Sequence, residues 1–264
     1  MEGVVVEKNE HYALCKIDNF SEDLKNAIRK SLSDICHGPE TVKTGRFSVT
    51  YKETLKEFNR RYKGKNEKHQ KGYIAELLTH ILLFKIYPTF KVANPFFNLE
   101  DKGAKKGFDL IVYDPSLNDI WITEVKSGNA KQSDSANKVN CQIIDRAKND
   151  LKERLSSNNT TLWHNALNGA DKILAEGNTK LQITKILDDC YKESSREEQK
   201  PSSKNVILTS VIYKKTDDPI TSREVEQKRS KIQDERIFQD LIVFSIQKET
   251  YSRVAAFIEE EAKS

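Results

Sequence analysis

Two carboxylates and one amine lie close together in the middle of this chain, on two apolar runs joined by a polar turn. Asp109 begins the first run, and Glu124 and Lys126 lie on the second with Val125 between them. Because residues two apart on a strand point to the same face, we expect Glu124 and Lys126 to share one side and Val125 to enter the core. Upstream, the helical stretch GYIAELLTHILL carries Glu76 as its only acid.

This set of groups is suited to metal-assisted hydrolysis of a phosphodiester. Mg²⁺ takes oxygen ligands, keeps several waters and often uses only one or two protein carboxylates together with substrate phosphate. Asp109 and Glu124 would supply such ligands to Mg²⁺ or Mn²⁺. The backbone carbonyl of Val125 would supply another, and Glu76 would bind directly or through water. The metal lowers the pKa of its bound water, and Lys126 would orient that water or stabilise developing charge.

The same residues also have structural interpretations. Glu76 on a buried helix needs a partner, and a salt bridge to a nearby lysine is an alternative to a metal. A Glu-x-Lys pair alone occurs by chance in many charged proteins, so its meaning depends on the flanking elements. Three carboxylates also permit either one metal or two.

The order of the elements resembles that of the PD-(D/E)xK nuclease superfamily. A helix with a lone acid, a strand beginning Gly107-Phe108-Asp109 and a strand with Glu-x-Lys follow one another between residues 71 and 155. Phe108 stands where the superfamily name has proline, at a position that is permissive in the superfamily. The resemblance implies an α/β, restriction-endonuclease-like core with a central mixed sheet flanked by helices. It also implies a metal-dependent deoxyribonuclease, and DNA is favoured over RNA through this resemblance alone.

More narrowly, the stretches KGYIAELL, GFDLIVYD and ITEVKSG, together with the overall length, resemble the HamA family of nuclease subunits from the Hachiman anti-phage defence system. This resemblance implies an effector nuclease that a partner helicase, HamB, restrains until altered DNA releases it. A non-catalytic nucleic-acid-binding subunit and a helicase-regulating subunit are the alternatives that the residues leave open.

Basic residues flank the acidic pattern. The net charge is only +4, so the distribution of charge matters more than its total. Lysines and arginines cluster before Asp109 and after Gly128, as a channel for a phosphate backbone requires. Some branches of the superfamily place Gln and Tyr four apart on the following helix, whereas here Arg146 follows Gln142. Solvated loops and helix faces are the alternative explanation. The candidates for nucleic-acid contact are Lys105, Lys106, Lys131, Gln142 and Lys148.

The chain has 264 residues, enough for one large domain or a core with an appendage. We expect an N-terminal appendage in residues 1–68, with a short strand near residues 47–51, and a nuclease-like α/β core in residues 69–264. The last 60 residues or so alternate between apolar strands and charged helices, which favours a continuation of the same sheet.

Cysteine spacing and hydropathy indicate the compartment. The four cysteines form no CxxC pair, so we expect reduced thiols in the cytoplasm and no zinc site. We see no signal peptide and no apolar run of membrane-spanning length, so we also expect no membrane contact.

Overall fold

The computed structural model describes residues 1–97, 107–117, 119–131 and 133–263. Lys105 and Lys106 therefore lie outside the described residues. Within these ranges the chain forms a seven-stranded mixed sheet in the order β1-β2-β7-β6-β5-β4-β3. Helices cover both faces of the sheet, which confirms the predicted α/β class and the mixed sheet flanked by helices.

The elements follow one another along the chain with these bounds: β1 (Val4–Lys8), β2 (Tyr12–Ile17), α1 (Glu22–His37), α2 (Pro39–Lys43), α3 (Tyr51–Lys63), α4 (Glu67–Ile86), β3 (Lys91–Val92), β4 (Leu110–Asp114), β5 (Asp119–Asn129), α5 (Ala136–Ser156), α6 (Thr160–Ile173), α7 (Asn178–Ser195), β6 (Asn205–Tyr213), α8 (Ser222–Asp234), β7 (Asp240–Lys248) and α9 (Ser252–Lys263). Short 3₁₀ helices occupy residues 47–49 and 201–203.

The centre of the sheet is parallel and its outer parts are antiparallel. β5, β6 and β7 pair in parallel, and α5 to α7 and then α8 supply the long crossovers that parallel neighbours need. β6 and β7 are buried along nearly their whole length. Each strand therefore contains an unbroken apolar run, residues 206–208 in β6 and 241–244 in β7, rather than an alternation, as is usual for strands covered on both faces.

Successive residues of β5 enter different cores. Trp121 and Val125 pack with residues of α1, α3, α4 and α9 on one face. Ile120 and Ile122 pack with residues of α5 to α8 on the other face. The period of two along the strand thus separates the two layers, and it places Glu124 and Lys126 on the α5 side.

Helix α4 is buried nearly all round because it packs against β5, α1 and α3 together. It begins after Asn66, whose side chain accepts a hydrogen bond from the N–H of His69 at 3.0 Å. It ends at Ile86, two residues before Pro88, which cannot continue a helix. Among the described residues, no helix combines the length and the apolarity needed to cross a bilayer.

Residues 1–68 contribute strands to the same sheet as the rest of the chain. β2 pairs in parallel with β7, from Tyr12 opposite Val243 to Ile17 opposite Lys248. Helices α1 and α3 share an apolar core with α4. The division of the chain at residue 68 stays a prediction. The strand expected near residues 47–51 was wrong, because a 3₁₀ turn and the start of α3 occupy this segment.

Candidate functional site

The start of β4 brings Asp109 to the edge of β5. β4 pairs antiparallel with β5 from Leu110 opposite Thr123, so the same register continued by one residue sets Asp109 opposite Glu124. The Oδ2 atom of Asp109 accepts a hydrogen bond from the Val125 N–H at 2.8 Å. The carboxylate therefore satisfies a backbone donor that has no ladder partner beyond the end of β4, and this bond fixes its position.

Val125 serves the site through its backbone and the core through its side chain. Its side chain is buried in the cluster that contains α4, as the sequence predicted. The N–H and C=O groups of one strand residue point toward the same neighbouring strand. The Val125 carbonyl therefore faces the same open edge as the Asp109 carboxylate.

Both oxygens of Glu124 are held by cations, although the residue is only 1% exposed. Its Oε1 lies 2.8 Å from the Nζ of Lys126, which is two residues along on the same face of β5. Its Oε2 lies 2.7 Å from the Nη1 of Arg154 on α5. A buried carboxylate requires such partners, and α5 supplies one of the two.

Helix α5 carries a stripe of charged residues that follows β5 in register. Four helical residues rise about 6 Å, and two strand residues rise about 6.6 Å, so the two repeats stay in step. The helix and the strand run in opposite directions. The three rungs are Arg154 with Glu124 at 2.7 Å, Asp150 with Lys126 at 2.8 Å, and the Arg146 Nη2 with the Ser127 carbonyl at 3.3 Å.

Gly128 permits this close approach of α5 to β5. A Cβ at this position would lie 3.1 Å from the Nη2 of Arg146 and 3.1 Å from the Cδ1 of Ile143. Such distances are tighter than ordinary van der Waals contact, so a larger residue here would require the Arg146 and Ile143 side chains to shift by a few tenths of an ångström.

The electrostatics of the site are dominated by burial and by neighbouring acids. Burial raises the pKa of Glu124 to about 7, and the Asp109 carboxylate adds to this rise, while Arg154 and Lys126 oppose it. Burial lowers the pKa of Lys126, but Glu124, Asp150 and Asp109 outweigh that effect and raise it above its usual value. The Glu124 carboxylate is therefore harder to ionise than an exposed one, while the Lys126 ammonium is held in its charged form.

The donor set fits a hard divalent cation. The carboxylates of Asp109 and Glu124 and the carbonyl of Val125 meet at one sheet edge, and a cation would relieve the repulsion between the two acids. In the described part of the chain, no group of three or more His, Cys, Asp or Glu side chains is arranged to hold a metal. Waters and substrate oxygens would therefore complete the shell, as is usual for Mg²⁺.

Glu76 lies on the opposite layer from the cluster. It is half-buried on α4, and α4 packs against the face of β5 to which Val125 points. To join the metal site its carboxylate must pass the sheet edge where β4 begins. Its part in metal binding stays a prediction.

The predicted nucleic-acid contacts fall in different surroundings. Lys131 is exposed in the loop after β5, and Gln142 is exposed on α5 one turn before Arg146. Lys148 lies off the stripe, with its Nζ 2.7 Å from Glu235 beyond the end of α8. The contact of these residues with nucleic acid stays a prediction, and Gln142 alone among them continues the spacing of the stripe.

Sequence reasoning missed two members of the cluster, Arg154 and Asp150. Arg154 is one of the basic residues that follow Gly128, and the pattern around Glu124 points neither to it nor to Asp150. The spacing of Arg146, Asp150 and Arg154 at intervals of four was visible on the predicted helix. What the sequence did not show was which strand this face would meet.

The family comparison covers almost the whole molecule, the cluster included. The sequence model of the HamA family matches residues 4–262. The chain belongs to the HamA family. No curated protein matches it. Family membership indicates a role related to Hachiman defence, and the matched range includes the N-terminal strands as well as the elements that carry Asp109, Glu124 and Lys126.

Proposed function

We propose that this HamA-family protein is a metal-dependent nuclease of the PD-(D/E)xK type that hydrolyses DNA phosphodiester bonds. The observation that carries the proposal is the assembly of Asp109, Glu124 and Lys126 at one sheet edge. The Asp109 carboxylate is fixed there by the Val125 N–H at 2.8 Å, and Lys126 lies 2.8 Å from Glu124. Two acids and an ammonium in this relation suit phosphodiester hydrolysis.

Each residue has a distinct task in this proposal. Asp109, Glu124 and the Val125 carbonyl would hold Mg²⁺ or Mn²⁺. When bound, the metal would supply an acidic water and polarise a phosphoryl oxygen. Lys126, whose side chain remains 28% exposed, contacts the attacking water or the phosphate and stabilises the negative charge that develops there. The Asp150 carboxylate lies 2.8 Å from the Nζ of Lys126, and it keeps this ammonium charged and oriented.

Charge around the site supports a nucleic-acid substrate. Arg146 is exposed on α5, on the same side of the sheet as the carboxylates, and Lys131 is exposed in the loop after β5. Positively charged groups near a metal site attract a phosphate backbone and release counterions. The preference for DNA rests on the resemblance to the PD-(D/E)xK superfamily.

We further propose that the nuclease is the effector of the defence system and is restrained by a helicase partner. The support for this part is family membership. In addition, both oxygens of Glu124 are held by cations in the chain by itself, which suits a resting state.

Cleavage of supercoiled and linear DNA by the purified protein tests the proposal. We expect cleavage with Mg²⁺ or Mn²⁺, none with EDTA, and a loss of at least about 100-fold in Lys126→Met or Asp109→Asn. Lys192→Met is the matched control, because Lys192 pairs only with Asp188 and Asp189 of its own helix in the contacts described.

The partner needs its own arm of this experiment. If the purified chain shows no cleavage, the assay is repeated with a candidate partner helicase and with nicked or gapped DNA. Cleavage that persists in the Lys126→Met variant contradicts the assigned site. Absence of cleavage in every arm, with DNA binding retained, would instead establish a non-catalytic binding subunit.

A further inference from the structure

The two cations that hold Glu124 differ in what else they contact. Lys126 is shared with Asp150, and both carboxylates lie 2.8 Å from its Nζ. Arg154 pairs with Glu124 through Nη1 and donates through Nη2 to the Gly107 carbonyl. Its guanidinium also lies over the Phe108 ring, 5.3 Å from the centroid. Arg154 is thus attached to the segment that leads directly into Asp109.

Binding of a divalent cation by Glu124 disfavours the ion pair between Glu124 and Arg154, and the ion pair disfavours binding of the cation. Oε2 of Glu124 lies 2.7 Å from Nη1 of Arg154, and a metal ligated by Glu124 would sit within a few ångströms of the guanidinium. Like charges at that separation repel strongly when they are partly buried, and the Arg154 side chain is only 25% exposed. Metal binding therefore weakens the ion pair and leaves a guanidinium without its anion.

A phosphodiester is well suited to replace that anion. Guanidinium presents a planar fork of donors that matches phosphate oxygens, and it is more weakly hydrated than an ammonium. The contacts of Arg154 with the Gly107 carbonyl and the Phe108 ring do not involve Glu124. These contacts can therefore keep the guanidinium beside the site after it leaves the carboxylate. Asp150, one helical turn earlier, is the competing acceptor within the chain.

We propose that Arg154 exchanges Glu124 for a substrate phosphate when the metal binds, so that metal and nucleic acid bind cooperatively. The inference rests on the proposed nuclease function. Arg154 is a substrate-binding residue in this scheme. In the absence of nucleic acid it competes with the metal for Glu124, and in its presence it anchors the phosphate next to the metal. By linkage, each ligand tightens the binding of the other by the same factor.

Calorimetric titration with Ca²⁺, with and without a short DNA duplex, measures this coupling. Ca²⁺ takes the same kinds of oxygen ligand as Mg²⁺, and gel electrophoresis checks that the duplex stays intact. We expect the duplex to tighten Ca²⁺ binding to the native chain by about tenfold, within the usual range of coupling between two sites. In Arg154→Gln we expect Ca²⁺ alone to bind about five- to tenfold more tightly and the duplex to change that affinity less than about twofold.

Two further variants make the test specific. Arg146→Gln removes the same charge from the same stripe, but Arg146 donates to a backbone carbonyl, so Ca²⁺ affinity without DNA should change less than about twofold. Arg154→Lys keeps the charge and loses the fork. If Arg154→Gln fails to fold, Arg154→Lys still tests the inference through a reduced effect of the duplex.

The outcomes separate the inference from the proposed function. Ca²⁺ binding that Glu124→Gln abolishes, but that neither Arg154→Gln nor the duplex alters, overturns the exchange and leaves the metal site intact. If Arg146→Gln and Arg154→Gln tighten Ca²⁺ binding equally, the exchange is also overturned, because the removal of any positive charge would then be the cause. If Arg154→Gln binds Ca²⁺ more tightly but the duplex does not change the Ca²⁺ affinity of the native chain, Arg154 pairs with Asp150 when the metal binds. That result overturns the phosphate step. Absence of any Glu124-dependent binding overturns the proposed function itself.

Discussion

Replacing Glu124 with glutamine tests the electrostatics of the site through the pH dependence of folding stability. Glu124 is 1% exposed, and its pKa rises from the ordinary 4.5 to about 7 because burial and Asp109 outweigh the two cations. The desolvation of a buried ion pair can exceed its Coulombic gain. The ionised carboxylate therefore opposes folding when no metal is bound.

The sign and size of the effect follow from linkage. Between pH 4.5 and 7 the folded chain binds more protons at Glu124 than the unfolded chain does, so stability falls as pH rises through this window. One pKa unit corresponds to about 1.4 kcal/mol, and the rise to about 7 therefore amounts to about 3 kcal/mol. Glu124→Gln carries no such group, so its stability relative to the native chain should improve by about 3 kcal/mol between pH 4.5 and 8.

Urea unfolding in EDTA, at pH values from 4.5 to 8, measures this difference. The control is Glu176→Gln, which removes a carboxylate whose side chain is 89% exposed and which therefore lacks the burial that causes the effect at Glu124. Saturating Mg²⁺ should reduce the dependence of the native chain's unfolding free energy on pH, because the metal favours the ionised carboxylate. A difference that does not vary with pH, or a Gln variant that loses stability as pH rises, would refute the reasoning and show that Lys126 and Arg154 overcome burial.

Three further predictions concern the scaffold around the site. Phe108→Ala should lower the free energy of unfolding by about 3–5 kcal/mol in urea, since this 2% exposed ring packs 4.9 Å from that of Trp163. Ser210→Ala should lower it by about 1–3 kcal/mol, because the fully buried Asn140 loses the hydroxyl that donates to its Oδ1. Cys141 should react first with a thiol reagent such as DTNB, since the other three cysteines are buried. Simultaneous reaction of all four thiols in native buffer would contradict the described packing.

Local sequence patterns were sufficient to predict the elements that carry the site. The helical stretch that contains Glu76 and the helix that carries Gln142 were confirmed as α4 and α5. For α4, the Asn66 cap, the apolar run and the following Pro88 are all encoded within a few residues of its boundaries. The shared face of Glu124 and Lys126 also followed from strand periodicity alone.

Non-local pairing was beyond the reach of the same reasoning. Residues 12–17 pair with residues 243–248, and nothing within either strand specifies a partner so distant in the sequence. The short pairing of Lys91–Val92 with β4 is likewise set by the partner strand and not by its own two residues. Arg154 and Asp150 were missed for the same reason: their function depends on the strand that α5 covers and not on α5 itself.

The position of the metal tests the central claim most directly. Crystals of the protein with Mn²⁺ and a short DNA duplex, measured at the manganese absorption edge, would give an anomalous peak for the ion. The account predicts a peak bound by the carboxylates of Asp109 and Glu124 and the Val125 carbonyl, with a phosphate oxygen in the same coordination shell. A peak elsewhere, or DNA bound away from this sheet edge with the two carboxylates still held by Lys126, Arg154 and the Val125 N–H, would contradict it.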